Sequence, residues 1–255
     1  MIERVTDTTA VAPLFEGWEE SVIWSCLQGV MGDIYADDLE HPTSAMAILG
    51  DFAYYAGRPS SELIRFKPDW CRQDFVIMVP QKEEWEPVIY ECYGDKVKKV
   101  TRYAIKKEPG IFDRAKLEHL SEELPEEYHF RLIDEELYKK CRKGEWSRDF
   151  VAQYPTWDQF ERLGLGVMVL KGEFPVCGAS SFSSFRGGIE VEIVTREEFR
   201  HQGLASACGA KLILECMDRE LYPSWDARIP WSVKLAEKFG YHFSHEYAAY
   251  EIWGY

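Results

Sequence analysis

With 255 residues, 46% of them hydrophobic and 15% aromatic, the chain has enough apolar material for a full core, which excludes global disorder. A formal net charge of −14 argues against a nucleic-acid partner, which needs a basic face, and is compatible with a cationic substrate such as an amine. Seven cysteines, an odd number without C-x-x-C spacing, argue against a disulfide framework or a zinc site and fit a reducing, cytoplasmic compartment. Met1 to Gly17 lacks a basic start followed by an apolar run, so no signal peptide is expected there. No apolar stretch is long enough to span a bilayer, so no membrane partner is expected either.

Ser21 to Met31 places Trp24, Leu27 and Val30 at helical spacing. Asp33, Asp37, Asp38 and Glu40 then crowd a short segment without the D-x-D-x-D-G order of a calcium loop, so a solvated turn is expected and no metal. Ser44 to Gly57 reads as a strand pair or one long bent strand, and Asp74 to Pro80 as a buried strand. Glu83 to Tyr93 reads as a helix that starts near Glu86, because Pro87 fits best in a first turn. Lys96 to Lys107 alternates as an exposed strand, Phe112 to Leu124 is helical, and Pro125-Glu126-Glu127 reads as a linker. The expected organisation is a smaller α/β domain over 1–125 and a second domain over 126–255.

In the second half a strand opens at Tyr128, and Asp134 can cap a helix over Glu135 to Arg142. Thr156 starts a short helix ending at Gly164, and Gly166 to Lys171 and Pro175 to Phe185 form a hairpin around Gly172. The informative stretch follows. Ile189 to Thr195 alternates and is rich in β-branched residues, as in a half-buried strand. Arg200-His201-Gln202-Gly203-Leu204-Ala205 then opens an apolar helix running to about Leu221. A helix start offers unpaired N–H groups and the positive dipole end, and Gly203 and Ala205 let an anion approach the backbone. Arg200 and His201 add a cationic flank. The stretch reads as a pyrophosphate cradle, although it is neither G-x-G-x-x-G nor a P-loop. Trp225-Asp226-Ala227 is expected as a short strand, Ser232 to Phe239 as a helix with Ser232 as its N-cap, and Tyr241 to Trp253 as the closing strand.

The strand, the R-x-x-G-x-A loop and the buried helix after it resemble the coenzyme A loop of the GNAT superfamily of acyl-CoA N-acyltransferases. Leu235-Ala236-Glu237-Lys238-Phe239-Gly240-Tyr241 is similar to a second motif of that family, L-Y-x-K-x-G-F. The resemblance covers about Tyr128 to Tyr255 and includes a bacterial subgroup of undefined substrate. It implies an α+β fold with a mixed, mostly antiparallel sheet and flanking helices. A degenerate unit of the same fold is an alternative reading of the first half. It also implies transfer of an acetyl group from acetyl-CoA, as co-substrate, to a small-molecule or peptide amine by direct attack. Arg200, His201, Gln202, Gly203, Leu204 and Ala205 would hold the pyrophosphate, and the backbone of Ile193, Val194 and Thr195 would pair with the pantetheine arm. Glu190 or Glu192 would be the general base. Two family positions differ here. Ala236 stands where a tyrosine general acid is usual, and Ile229 stands where an asparagine often binds pantetheine, with Ser232 as a partial substitute. Those departures leave a second reading, a catalytically silent acyl-CoA-binding regulatory module.

Overall fold

The computed structural model describes residues 1–255, in which the chain folds as two units, residues 1–102 with 246–255, and residues 103–245. The first unit holds β1 (Glu3–Val5), α1 (Ser21–Leu27), β2 (Asp33–Ala36), β3 (Ser44–Leu49), β4 (Phe52–Gly57), α2 (Ser61–Arg65), β5 (Phe75–Pro80) and α3 (Glu86–Tyr93). β1 to β4 form an antiparallel meander. The β3–β4 hairpin places Leu49 opposite Phe52 around Gly50, whose φ of 59° gives the left-handed turn. α2 carries the chain across so that β5 pairs parallel with β4. α3 has its proline in the first turn, where a missing N–H costs nothing. β6 (Val97–Ile105) then runs from the first unit into the second.

The second unit continues with α4 (Arg114–Glu122), β7 (Tyr128–Leu132), α5 (Glu135–Lys143), α6 (Trp157–Leu163), β8 (Gly166–Lys171), β9 (Phe174–Phe185) and β10 (Gly188–Thr195). It ends with α7 (Leu204–Asp218), β11 (Tyr222–Ser224), β12 (Asp226–Ala227), α8 (Pro230–Phe239) and the start of β13 (Phe243–Trp253). Its sheet runs β11-β10-β9-β8-β7 and is antiparallel except for β10–β11. Val167, Val169, Ala179, Ile189 and Val191 of that sheet share one core with Leu117 and Leu120 of α4, the apolar side of α7, and Leu235 and Phe239 of α8. The whole is a mixed α+β fold with mostly antiparallel sheets and flanking helices. No helix is long and apolar enough to cross a membrane.

Four sequence expectations need correction. The helix expected from Arg200 to Leu221 spans only Leu204–Asp218, because His201, Gly203 and Glu220 have φ of 63°, 80° and 56°, outside the helical region. The strand expected at Trp225-Asp226-Ala227 is split. Tyr222–Ser224 pairs with β10, Asp226–Ala227 pairs with β6, and Trp225 sits buried between them. α8 begins at Pro230, so its N-cap is Ile229 and not Ser232. Proline at the first position needs no capped N–H, and Ser232 Oγ instead accepts a 3.1 Å bond from Trp225 Nε1. Finally, the strand expected to close the second half ends elsewhere. Tyr250–Trp253 pairs antiparallel with β5, and Tyr250 and Ile252 enter the first unit's core beside Tyr55, Val76 and Met78.

Asp134 does cap α5, accepting a 2.8 Å bond from the Leu137 N–H. Burial pushes its carboxyl upward, but that N–H and the Arg131 guanidinium outweigh burial and hold it below the ordinary aspartate value. A depressed folded value means that this stabilisation is complete above the unfolded value of about 3.9 and is lost as pH falls through the lower folded value. Asp134→Ala is expected to cost about 1 kcal/mol at neutral pH, read by urea denaturation, with the difference from wild type shrinking below about pH 4.

Candidate active site

β10 is fully paired on one edge only. β9 follows it from Gly188 to Thr195, whereas β11 pairs with Gly188, Ile189 and Glu190 and then stops. After Ser224 the chain leaves to join β6 through β12. From Val191 to Thr195 β10 therefore has no strand on its β11 side, and its end is open to a ligand backbone. Side chains alternate along it: Ile189, Val191 and Ile193 pack toward the core, while Glu190 and Glu192 share the opposite face. Glu190 is buried, opposite Ser183 on β9 and Ser224 on β11, and Glu192 is opposite Ser180.

The turn after β10 is held at both ends. The Arg196 guanidinium lies 4.4 Å from the Trp146 ring centroid and 4.5 Å from that of Phe174, and its Nε donates to Pro175 O at 2.7 Å. At the far end Tyr128 Oη donates to Gln202 Oε1 at 2.7 Å. Gly203 caps α7 with φ 80°, a conformation that penalises any side chain, and no heavy atom lies within 4 Å of where its Cβ would stand. The first bond inside the helix is Ala207 N–H to Gly203 O, so the N–H groups of Leu204, Ala205 and Ser206 have no acceptor within it. The Ser206 hydroxyl beside them is buried and has no hydrogen-bond partner.

These groups meet in one cavity of about 620 Å³, a size suited to a sizeable small molecule. Ile193, Val194 and Thr195 bring the open end of β10 to it, and Arg200, His201, Gly203, Leu204, Ala205 and Ser206 bring the turn and the helix start. α8 also lines it through Trp231, Lys234, Leu235 and Lys238, one helical face at spacings of three and four, with Ile229 just before it. Four basic side chains line the cavity and no acidic one does, in a chain whose net charge is −14. An anion fits there. The unpartnered Ser206 hydroxyl, the bare Gly203 backbone and the three helix-start N–H groups are the donor set that a pyrophosphate needs.

Eight of the expected binding residues thus converge, and two do not. Gln202 is turned to Tyr128 and lies outside the cavity lining. Ser232 is also outside it, engaged by Trp225. Glu190 and Glu192 lie further along β10, beyond the lining. Sequence reading missed Ser206, Trp231, Lys234 and Lys238. The α8 residues carry a legible signal, a positively charged stripe at helical spacing, but a stripe of that kind reads equally as a solvated face.

Tyr241 cannot take over as a general acid. Its hydroxyl is buried and donates to Pro223 O at 2.6 Å, and burial pushes the phenol well above its ordinary value. Tyr241→Phe is expected to lower stability by about 1–2 kcal/mol in chemical denaturation, through the carbonyl left unpaired, and to leave kcat unchanged.

A family model for GNAT acetyltransferases matches residues 12–250, which extends the resemblance well ahead of Tyr128. The chain is 25% identical over 232 residues to an uncharacterised N-acetyltransferase, YdfB, of Bacillus subtilis (strain 168), covering 88% of this chain and 86% of that one. Among solved structures it is similar to a GCN5-related N-acetyltransferase-like protein from Streptococcus suis 89/1591, with 48% identity, a TM-score of 0.89, and coverage of 95% and 96% of the two chains. A GNAT-family structure from Novosphingobium aromaticivorans DSM 12444, 16% identical with a TM-score of 0.55 over 92% and 97% of the chains, shares the fold. With a family model that runs nearly end to end, the protein belongs to the GNAT acetyltransferase family.

Proposed function

We propose that the chain moves an acetyl group from acetyl-CoA to an amine, carried by a small molecule or a peptide. The observation that carries this reading is the cavity that joins the open edge of β10 to the start of α7. Gly203 lets the pyrophosphate approach, the N–H groups of Leu204, Ala205 and Ser206 and the Ser206 hydroxyl bind it, and Arg200 offsets its charge with His201 beside it in the cavity lining. The free backbone edge at Ile193, Val194 and Thr195 holds the pantetheine arm in line with the strand and supplies an N–H to the oxygen that gains charge. When bound, acetyl-CoA supplies an acyl group on a thiolate leaving group.

Glu192 is the general base in this account. It directly precedes the cavity-lining Ile193, whereas Glu190 is about 7 Å further back along the strand. Glu192 takes the proton from the incoming ammonium, directly or through water, so that a neutral amine attacks. Glu190, buried on the same face, orients the amine's cationic form before that transfer. No tyrosine stands at position 236, so protonation of the departing thiolate falls to solvent, which suffices for a thiol of pKa about 8.5.

Thermal unfolding with and without acetyl-CoA tests the binding half of this reading. At about a hundred times the dissociation constant the coenzyme is expected to stabilise the protein by about 2.7 kcal/mol. An unchanged transition at millimolar acetyl-CoA would overturn it.

A further inference from the structure

Arg200, His201 and the helix-start N–H groups account for a pyrophosphate, yet two more basic side chains, both on α8, line the same cavity. Lys234 and Lys238 are one helical turn apart on α8, both exposed, and both line the cavity. Lys234 has no hydrogen-bond or ion-pair partner. Lys238 has a single one, Glu123 at 3.7 Å, with both side chains about half exposed, a contact that binds weakly and yields easily. Side chains four apart on one helix face can bring both ammonium groups to the same dianion, and a phosphate monoester is close to a dianion at neutral pH. Trp231, one turn before Lys234 on the same face and 56% exposed, offers a flat apolar surface for a base next to that charge.

We propose that Lys234 and Lys238 form a separate phosphate subsite, which binds the 3′-phosphate of coenzyme A and selects the phosphorylated coenzyme over its dephospho form. This rests on the acetyl-CoA reading above and adds the residues that discriminate within it. Both lysines are on solvent-exposed helix positions, so glutamine at each keeps the stem and removes the charge without disturbing the core. Their attraction is to a ligand group at the cavity rim, so it weakens as salt rises.

The test is calorimetric titration of the full chain with acetyl-CoA and with 3′-dephospho-acetyl-CoA, for wild type and for the Lys234→Gln, Lys238→Gln double variant. Wild type is expected to prefer acetyl-CoA by about tenfold or more, with a smaller preference at high salt. The double variant is expected to bind the two ligands equally, at the affinity wild type shows for the dephospho form. Equal binding of both ligands by wild type overturns the subsite alone. So does a preference that survives in the double variant, or a loss that falls equally on both ligands, since that would assign the lysines to the pyrophosphate. Failure of wild type to bind either ligand overturns the acetyl-CoA reading together with the subsite.

Discussion

Gly203→Glu is expected to weaken acetyl-CoA binding by at least about a hundredfold in calorimetric titration. Two effects add. The backbone at this position has φ 80°, which costs a residue with a side chain about 1–2 kcal/mol. The new carboxylate also stands at the positive end of α7, where it competes for the N–H groups of Leu204, Ala205 and Ser206 and repels a pyrophosphate. Gly203→Ala separates the two, because it brings the backbone cost without the charge. Its stability is expected to fall somewhat more than that of the glutamate variant, whose carboxylate is favoured at the helix start, while its loss of affinity stays well short of it. Full acetyl-CoA affinity in Gly203→Glu would mean that the anion binds elsewhere.

Glu192→Gln is expected to lower kcat by about 10²–10⁴, the usual worth of a positioned general base, with the affinity for acetyl-CoA unchanged. Glu190→Gln is expected to act mainly on the KM of the amine, because its proposed part is to hold the cation and not to take the proton. Steady-state kinetics with a saturating thioester distinguishes these. A kcat loss in Glu190→Gln with Glu192→Gln near wild type would exchange the two roles. Loss of neither would remove this face of β10 from the chemistry. The neighbourhood gives the carboxylates polar company: the buried hydroxyls of Ser180, Ser183 and Ser224 lie opposite them on β9 and β11, and none of the three has a hydrogen-bond partner.

The strand-loop-helix that builds the cradle was legible because each part is specified locally. Alternation marks β10, the apolar run marks α7, and the R-x-x-G-x-A pattern marks their connection, although the helix expected from Arg200 starts at Leu204. What escaped depends on distant partners. Nothing near Tyr222 to Ala227 says that three residues pair with β10 and the next strand with β6, yet that division opens the edge of β10. The start of α8 was misplaced because Ser232 looks like an N-cap, while Pro230 had already started the helix and Trp225 had claimed the hydroxyl. Gln202 sits inside the motif, but Tyr128, which turns it away from the cavity, comes 74 residues earlier. The destination of β13 escaped for the same reason, since alternation identifies a strand without identifying the neighbour it joins.

The most direct measurement is turnover: acetyl-CoA is offered with a broad panel of small-molecule and peptide amines, and free thiol and N-acetylated product are followed together. The prediction is equimolar thiol and amide for at least one class of amine, with the rate lost in Gly203→Glu. Saturable binding of acetyl-CoA without product from any amine would contradict catalysis and leave a GNAT-fold module that only binds the coenzyme.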